Sequence, residues 1–153
     1  TLITIGLDPA GGTSFSDFAN PIIVSRYTLC VYDRSGAGGG SAELLSAAAP
    51  FGALDCGGKP CWQVTLSGFK YKDRSGAADG LTDIKLHAGV LPKAKLLVKA
   101  RGARLELPPL PMTPTVTVQL RRSGSPNPDC WGAEYQGFDI QQNDGGGFKA
   151  STR

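Results

Sequence analysis

The sequence predicts an all-β protein folded as an antiparallel β-sandwich of about eight or nine strands. Apolar and polar residues alternate with a period of two, as expected for strands that bury one face. Glycine (21) and proline (11) together make up about a fifth of the 153 residues, which is typical of short strands joined by tight turns. No long window keeps a helical period. The predicted sandwich is Ig-like or jelly-roll-like, and a flattened barrel is the alternative architecture.

The first half of the chain contains three predicted strands. Residues 1–7 alternate with Leu2 on one side and Ile3 and Ile5 on the other, and residues 21–33 form the second strand. The alanine-rich segment 41–49 fits either a helical turn or a strand, and its length and surroundings favour a strand.

Residues 62–104 form three alternating runs separated by glycine-rich turns. We expect Trp62, Val64 and Leu66 to share one buried face. The alternation changes phase at Gly68, which predicts a bulge or sharp bend there. The clearest alternation is Lys93–Arg101, where four small or aliphatic residues point inward: Ala94, Leu96, Val98 and Ala100.

The remaining residues predict a proline-rich extended crossover over 105–114 and a strand over 115–122. The last core strand is predicted over Cys130–Tyr135, and residues 141–153 are expected to be a polar end.

The chain has the length of one domain. We expect residues 27–153 to form the sandwich and residues 1–26 to be an N-terminal strand and linker that act as an assembly arm. In that role four apolar residues would enter a neighbouring molecule's sheet: Leu2, Ile3, Ile5 and Leu7. The alternative is an ordinary first strand in the chain's own sheet.

Four cysteines in a small β-rich chain indicate an oxidising compartment, so an extracellular or cell-surface location is expected. Four cysteines allow three pairings, and the favoured one joins Cys56 to Cys61 and Cys30 to Cys130. Zinc is disfavoured because the Cys56–Cys61 spacing is wider than a usual zinc knuckle. The chain begins without methionine, so a removed leader or a longer precursor is expected. No apolar run approaches the roughly 20 residues of a membrane span.

Positive charge is concentrated between Gly68 and Arg104, where nine cations accompany three aspartates. The outward row of the clearest strand predicts a surface for acidic polysaccharide or another anionic surface. It consists of Lys93, Lys95, Lys99 and Arg101. Exposed aromatic residues such as Tyr71 and Tyr135 are the alternative binding contacts. Nucleic acid is not expected, because no aromatic residue is interleaved on that face. Alternatively, the lysines only discourage unwanted strand pairing.

The sequence predicts no catalytic centre and no cofactor. His87 is the only histidine, and no motif places a serine nucleophile beside it. Asp73, Asp79 and Asp83 are weak calcium candidates, since their spacing is not that of a calcium loop. No facing acidic pair for glycoside hydrolysis and no phosphate-binding loop is present.

Two similar turns follow predicted strands, at residues 32–37 (YDRSGA) and 71–77 (YKDRSGA). In each, the aspartate and serine are expected to cap backbone amides while glycine supplies a positive φ.

From Tyr27 to Lys149 the sequence resembles an uncharacterised secreted β-domain that recurs in environmental bacteria and has no known activity. The residues that carry the resemblance include LCVYDRSG, CGGKPCW, GFKYKDRSGAADGL, KAKLLVKARGARLELPPLP, VTVQL, CWGAEY and NDGGGFKA. The resemblance implies a secreted β-domain, supplies no catalytic residue or ligand, and makes residues 1–26 look like an attachment.

These observations together predict a non-catalytic extracellular structural or assembly protein that associates with copies of itself or with other surface proteins by strand addition. The alternative is a module that binds carbohydrate or an anionic surface through strand 93–101. A hydrolase accessory domain or an enzyme ranks behind both.

Overall fold

The computed structural model describes residues 2–7, 9, 12–52, 55–90, 93–106, 110–124 and 129–151, and its regular structure consists of eleven strands and three short 3₁₀ helices. The predicted all-β sandwich is confirmed, with more strands than expected. No helix in the described residues is long and apolar enough to cross a membrane. The strands are β1 (Leu2–Leu7), β2 (Arg26–Asp33), β3 (Ala42–Ala49), β4 (Trp62–Val64), β5 (Gly68–Lys72), β6 (Leu81–His87), β7 (Lys95–Arg101), β8 (Val116–Ser123), β9 (Asp129–Tyr135), β10 (Ile140–Asp144) and β11 (Gly147–Ser151).

Two sheets pack against each other around one core. The larger sheet has the order β10-β11-β1-β7-β6-β5-β4, and the smaller has the order β3-β2-β8-β9. Neighbouring strands are antiparallel except for β1 and β11, which run parallel. The segment 42–49, which could have been a helical turn, is strand β3, as predicted.

The core is filled by the inward rows of both sheets, and its largest side chains are aromatic. The Tyr27 ring lies 5.5 Å from that of Trp62 and 6.2 Å from that of Trp131, so it connects the two indoles. The Tyr27 hydroxyl donates to the Phe18 carbonyl at 2.7 Å, and the Trp62 indole donates to the Pro50 carbonyl at 2.9 Å. These polar atoms can be buried because each has a partner.

The first strand belongs to the sandwich itself, which corrects the division at residue 26. Strand β1 pairs with β7 on one edge and with β11 on the other. Three of the four proposed assembly residues are buried in the chain's own core, namely Ile3, Ile5 and Leu7, while Leu2 is 44% exposed. Phe18, in the expected linker, is also fully buried. The region 1–26 therefore contributes a central strand and part of the core.

A tight hairpin, and not a bulge, accounts for the phase change at Gly68. Strand β4 ends at Val64 and β5 begins at Gly68, with the Thr65 amide bonded to the Gly68 carbonyl. Val64 and Leu66 were expected to be buried, but they are 62% and 106% exposed because one ends an edge strand and the other lies in the turn. A Cβ at position 68 would come within 1.8 Å of the Leu86 carbonyl oxygen, so only glycine fits.

Residues 141–153 were predicted to be a polar end, but the described residues among them form most of a β-hairpin. Strands β10 and β11 pair antiparallel, and β11 then pairs with β1. Phe148 and Ala150 fill the core while Lys149 points outward. The hairpin was not predicted because its composition is polar: only alternate residues of one of its strands are buried.

One predicted disulfide forms and the other does not. Cys56 and Cys61 are bonded, whereas Cys30 and Cys130 are free thiols. Strands β2 and β9 lie on opposite sides of β8, so the two Cα atoms are at least two strand spacings, or about 10 Å, apart. A disulfide requires Cα atoms within about 7 Å, so the predicted Cys30–Cys130 bond is wrong.

The two similar turns share the predicted capping by aspartate. One carboxylate oxygen of Asp33 accepts from the Ser35 amide at 2.9 Å, and one of Asp73 accepts from the Ser75 amide at 3.0 Å. We call Asp33 and Asp73 the capping aspartates. Of the two turn glycines only Gly76 has a positive φ, at 60°; Gly36 has φ −66°. The repeat is therefore one of capping, and only partly one of backbone conformation.

Candidate functional site

The outer surface of the larger sheet carries a dense set of cations, which we call the basic face. Its members come from four strands: β5, β6, β7 and β11. Within these strands the apolar residues alternate inward, which forces the charged residues outward. The basic face consists of Lys70, Lys72, Lys85, Lys95, Lys99, Arg101 and Lys149.

Strand register places these cations in rows across the sheet. Lys70 on β5 lies directly opposite Lys85 on β6. In a parallel row, Thr4 of β1 lies between Lys99 of β7 and Lys149 of β11. Neighbouring strands are about 4.8 Å apart, so the rows bring cations of separate strands onto one surface, interrupted by Thr4 on β1 and by Asp83 between Lys72 and Lys99.

Few carboxylates neutralise this surface. The four strands carry one outward carboxylate, Asp83, which pairs with Lys72 at 3.5 Å, and this is the one salt bridge within the described residues. The Lys72 side chain is 57% exposed, so the pair contributes at most about 1 kcal/mol. Direct opposition of two lysines, as at Lys70 and Lys85, is unfavourable for the sheet itself. The cations therefore remain available to an external anion.

The surface over β1 is low and neutral. The outward residues at its middle and end are Thr4 and Gly6. Gly6 has no side chain, and its neighbours across the sheet are Leu97 and Ser151. Small residues between two cationic strands let an extended anion approach both of them.

The disulfide loop borders one side of the basic face. Between this loop and β5 lies a cleft of about 600 Å³ that includes Lys59, Lys70, Lys72 and Arg74. Its two carboxylates are both hydrogen-bonded to backbone amides, Asp55 to Gly58 and Asp73 to Ser75 and Ala77. Positive charge is therefore in excess in this cleft as well.

The sequence identified part of the basic face. Lys95, Lys99 and Arg101 lie on it as predicted, while Lys93 is exposed in the segment before β7. Lys149 was missed because it becomes a neighbour only through the β1–β11 pairing. The cations of β5 and β6 were counted in the segment's charge, and their alternation was the signal that could have placed them on the same face.

The two tyrosines proposed as exposed aromatic contacts are buried. Tyr71 is 2% exposed and Tyr135 is fully buried, with its hydroxyl donating to the Gly6 carbonyl at 2.8 Å. Burial raises the pKa of Tyr71 to about 12, and the nearby Asp73 carboxylate adds to the rise. Both tyrosines are core residues, so recognition by stacking on them is excluded.

The single histidine lies on the surface beside a serine. The His87 Nδ1 and the Ser67 Oγ are 2.6 Å apart, on an exposed turn. Among the described residues, no carboxylate is hydrogen-bonded to this imidazole. A Ser-His-Asp triad needs a carboxylate to orient the ring and a pocket to hold the substrate. This pair instead connects the β4–β5 turn to the end of β6.

The three calcium candidates are engaged separately. Asp73 caps its own turn, Asp79 accepts from the Ala48 amide at 3.0 Å, and Asp83 pairs with Lys72. No group of three or more potential metal ligands occurs in the described part of the chain. The weak calcium prediction is not supported by this arrangement, because the oxygens do not converge.

Electrostatics at the capping aspartates favour their charged form. Burial raises the pKa of Asp73, but hydrogen bonds from Ser75 and Ala77 outweigh it and hold the pKa below its usual range. The same balance lowers the pKa of Asp33, with Ser35 and Thr113 as donors. These carboxylates serve the fold, since their oxygens are occupied by backbone and serine donors.

Comparison of the chain with protein-family models, with curated proteins and with solved structures finds no match.

Proposed function

We propose that the protein is a non-catalytic extracellular module that holds an anionic partner against its basic face. The observation that carries the proposal is the set of seven outward cations on four strands, accompanied by one outward carboxylate on those strands. The Cys56–Cys61 disulfide supports an oxidising, extracellular setting.

The arrangement fits an extended anion better than a small one. The cations spread over the sheet and do not converge on one enclosed pocket, so many weak contacts would act together. Such binding is electrostatic and should weaken as salt screens the charges, because the Debye length falls from about 10 Å at 0.1 M salt to about 3 Å at 1 M.

The test uses retention on immobilised dextran sulfate, a generic acidic polysaccharide, over a salt gradient. The double substitution Lys85→Glu with Lys149→Glu should lower affinity at least about 30-fold, since each lysine near an anionic surface contributes about 1 kcal/mol and each glutamate adds repulsion. Lys149 is included because strand 93–101 acting alone would not involve it. The matched control reverses two exposed cations on β2 and just after it, Arg26→Glu with Arg34→Glu. Equal losses in both double variants, or retention independent of salt, would refute the proposal.

Self-association by strand exchange is a second candidate, and the position of β1 favours it. This first strand fills a slot between β7 and β11, and the same slot in one copy would accept β1 of another. We expect a protein lacking residues 1–8 to bind a synthetic peptide of those residues. If the truncated protein is folded and ignores the peptide, strand exchange is ruled out.

A further inference from the structure

Three exposed apolar side chains line one cleft at an end of the sandwich. They are Phe15, Leu66 and Val90, which are 41%, 106% and 73% exposed, and we call them the apolar tip. Scattered exposed apolar residues are ordinary, but several around one cleft indicate an interaction site. Leu66, at the summit of the β4–β5 turn, has no packing role in the fold.

The apolar tip is held in place by short-range contacts. The Ala88 amide donates to the Ser67 carbonyl at 2.7 Å, and Thr13 and Gly89 exchange two backbone hydrogen bonds. The Phe15 ring packs 5.2 Å from that of Phe69. Three separate segments are thus fixed relative to one another, so little conformational entropy is lost when the tip is buried by a partner.

Lysines border the apolar tip. Lys95, the cross-strand partner of His87, lies at the end of the basic face nearest these loops, and Lys93 is exposed just before β7. The next row inward contains Lys70 and Lys85. The carboxylate in the cleft, Asp17, is already bonded by the Ser14 amide at 2.7 Å and by the Thr13 hydroxyl at 3.1 Å.

We propose that the anionic partner of this protein is a lipid bilayer surface, with the apolar tip inserted among the acyl chains and the adjoining lysines in contact with anionic headgroups. This inference rests on the proposed function and names its partner. A bilayer presents negative charge and an apolar layer side by side, which an acidic polysaccharide does not. In this protein the apolar tip lies beside the basic face, so the two surfaces match the apolar layer and the negative charge of a bilayer.

The test measures flotation with vesicles of phosphatidylcholine, alone or mixed with phosphatidylglycerol. The wild-type protein is expected to bind the mixed vesicles and to ignore the neutral ones. The double substitution Leu66→Ser with Val90→Ser should weaken binding to mixed vesicles at least about tenfold, while retention on dextran sulfate stays unchanged. The control is Phe138→Ser, a 67% exposed residue beside β10 at the opposite edge of the sheet, which should bind like wild type.

A second variant reports insertion directly. Leu66→Trp places an indole at the summit of the turn, and its fluorescence should shift to the blue with mixed vesicles because the ring enters the interface. An unshifted spectrum, or a serine variant that binds vesicles like wild type, overturns the inference and leaves the proposed function standing. If the wild-type protein is retained on dextran sulfate but does not bind vesicles, the lipid inference is likewise overturned and the proposed function stands. If the wild-type protein binds neither dextran sulfate nor vesicles, both proposals are overturned.

Discussion

Thr4→Glu is expected to separate binding from stability. Thr4 points outward from β1, and its direct neighbours across the sheet are Lys99 and Lys149. A glutamate there would face one lysine on each side and place negative charge at the centre of the basic face. Dextran sulfate binding should therefore fall while the fold is retained.

The two effects can be estimated from the geometry. Each cross-strand pair of opposite charge contributes about 0.2–1 kcal/mol, which offsets the lower strand preference of glutamate, so the free energy of unfolding should change by less than about 1 kcal/mol. Masking two lysines, at about 1 kcal/mol each near an anionic surface, predicts a loss of about 30-fold in affinity.

Urea unfolding followed by tryptophan fluorescence measures the stability of this variant, and a salt-gradient column measures its binding. Thr4→Gln is the uncharged control and should bind like wild type. Ser46→Glu adds the same charge to the outer face of the smaller sheet and should also have little effect. If Thr4→Glu retains binding, or if Thr4→Gln loses it equally, recognition by charge at the centre of the face is refuted.

Three further predictions concern the fold. Ile5→Ala should lower the free energy of unfolding by about 2–5 kcal/mol because Ile5 is fully buried, whereas Leu2→Ala on the same strand should have a much smaller effect; equal effects in urea unfolding would contradict an integral β1. Removing the Cys56–Cys61 disulfide with a double alanine variant should cost about 2 kcal/mol, since the closed loop is short, which thermal unfolding can check. The capping aspartates have lowered pKa values, so the stability they contribute is present above about pH 4 and is lost as the pH falls through their folded-state values; unfolding measured across acidic pH should show a shallower decline in Asp73→Asn.

Local patterns were sufficient to predict the strands, and the reason lies in their periodicity. Lys95–Arg101 alternates clearly, and its inward residues are buried as expected. The alternation in β8 is equally direct, whereas β2 also buries Cys30 between Leu29 and Val31. A strand with one buried face records that burial in its own sequence, so fold class could be predicted without knowing any partner.

Strand order could not be predicted in the same way. The Cys30–Cys130 bond was wrong because it depended on β8 lying elsewhere than between β2 and β9. The burial of Tyr135 depends on the opposite sheet, whose Gly6 carbonyl accepts a hydrogen bond from the tyrosine hydroxyl. These contacts depend on how strands that are distant in sequence pair and pack, and the sequence of one strand does not reveal them.

The same limit applied to the candidate site. The cations of β7 were visible as one row, but the extent of the face depends on the register of β5, β6 and β11 with their neighbours. The apolar tip was concealed for a related reason. Val64 and Leu66 continue an alternating pattern in the sequence. Only the hairpin geometry shows that Val64 ends β4 and that Leu66 lies in the turn, outside the sheet.

The direct opposition of Lys70 and Lys85 connects the fold to the proposed function. Like charges facing each other across two strands are destabilising, and the one salt bridge of the described residues does not involve either lysine. Stability alone would favour a neutral or acidic residue at one of the two positions. Lys85→Gln is therefore expected to raise the free energy of unfolding by a few tenths of a kcal/mol, up to about 1 kcal/mol, while weakening the binding of anions.

Opposite signs for these two effects would show that the charge is maintained at the expense of the fold. Urea unfolding and dextran sulfate retention of the same variant provide both values, and Lys59→Gln, an exposed change in the disulfide loop, controls for loss of one charge from the neighbouring surface. If Lys85→Gln is less stable than wild type, the lysine supports the sheet. The unfavourable opposition of Lys70 and Lys85 would then no longer indicate an anionic partner. Stabilisation with weaker binding would instead identify recognition as the reason that two lysines face each other.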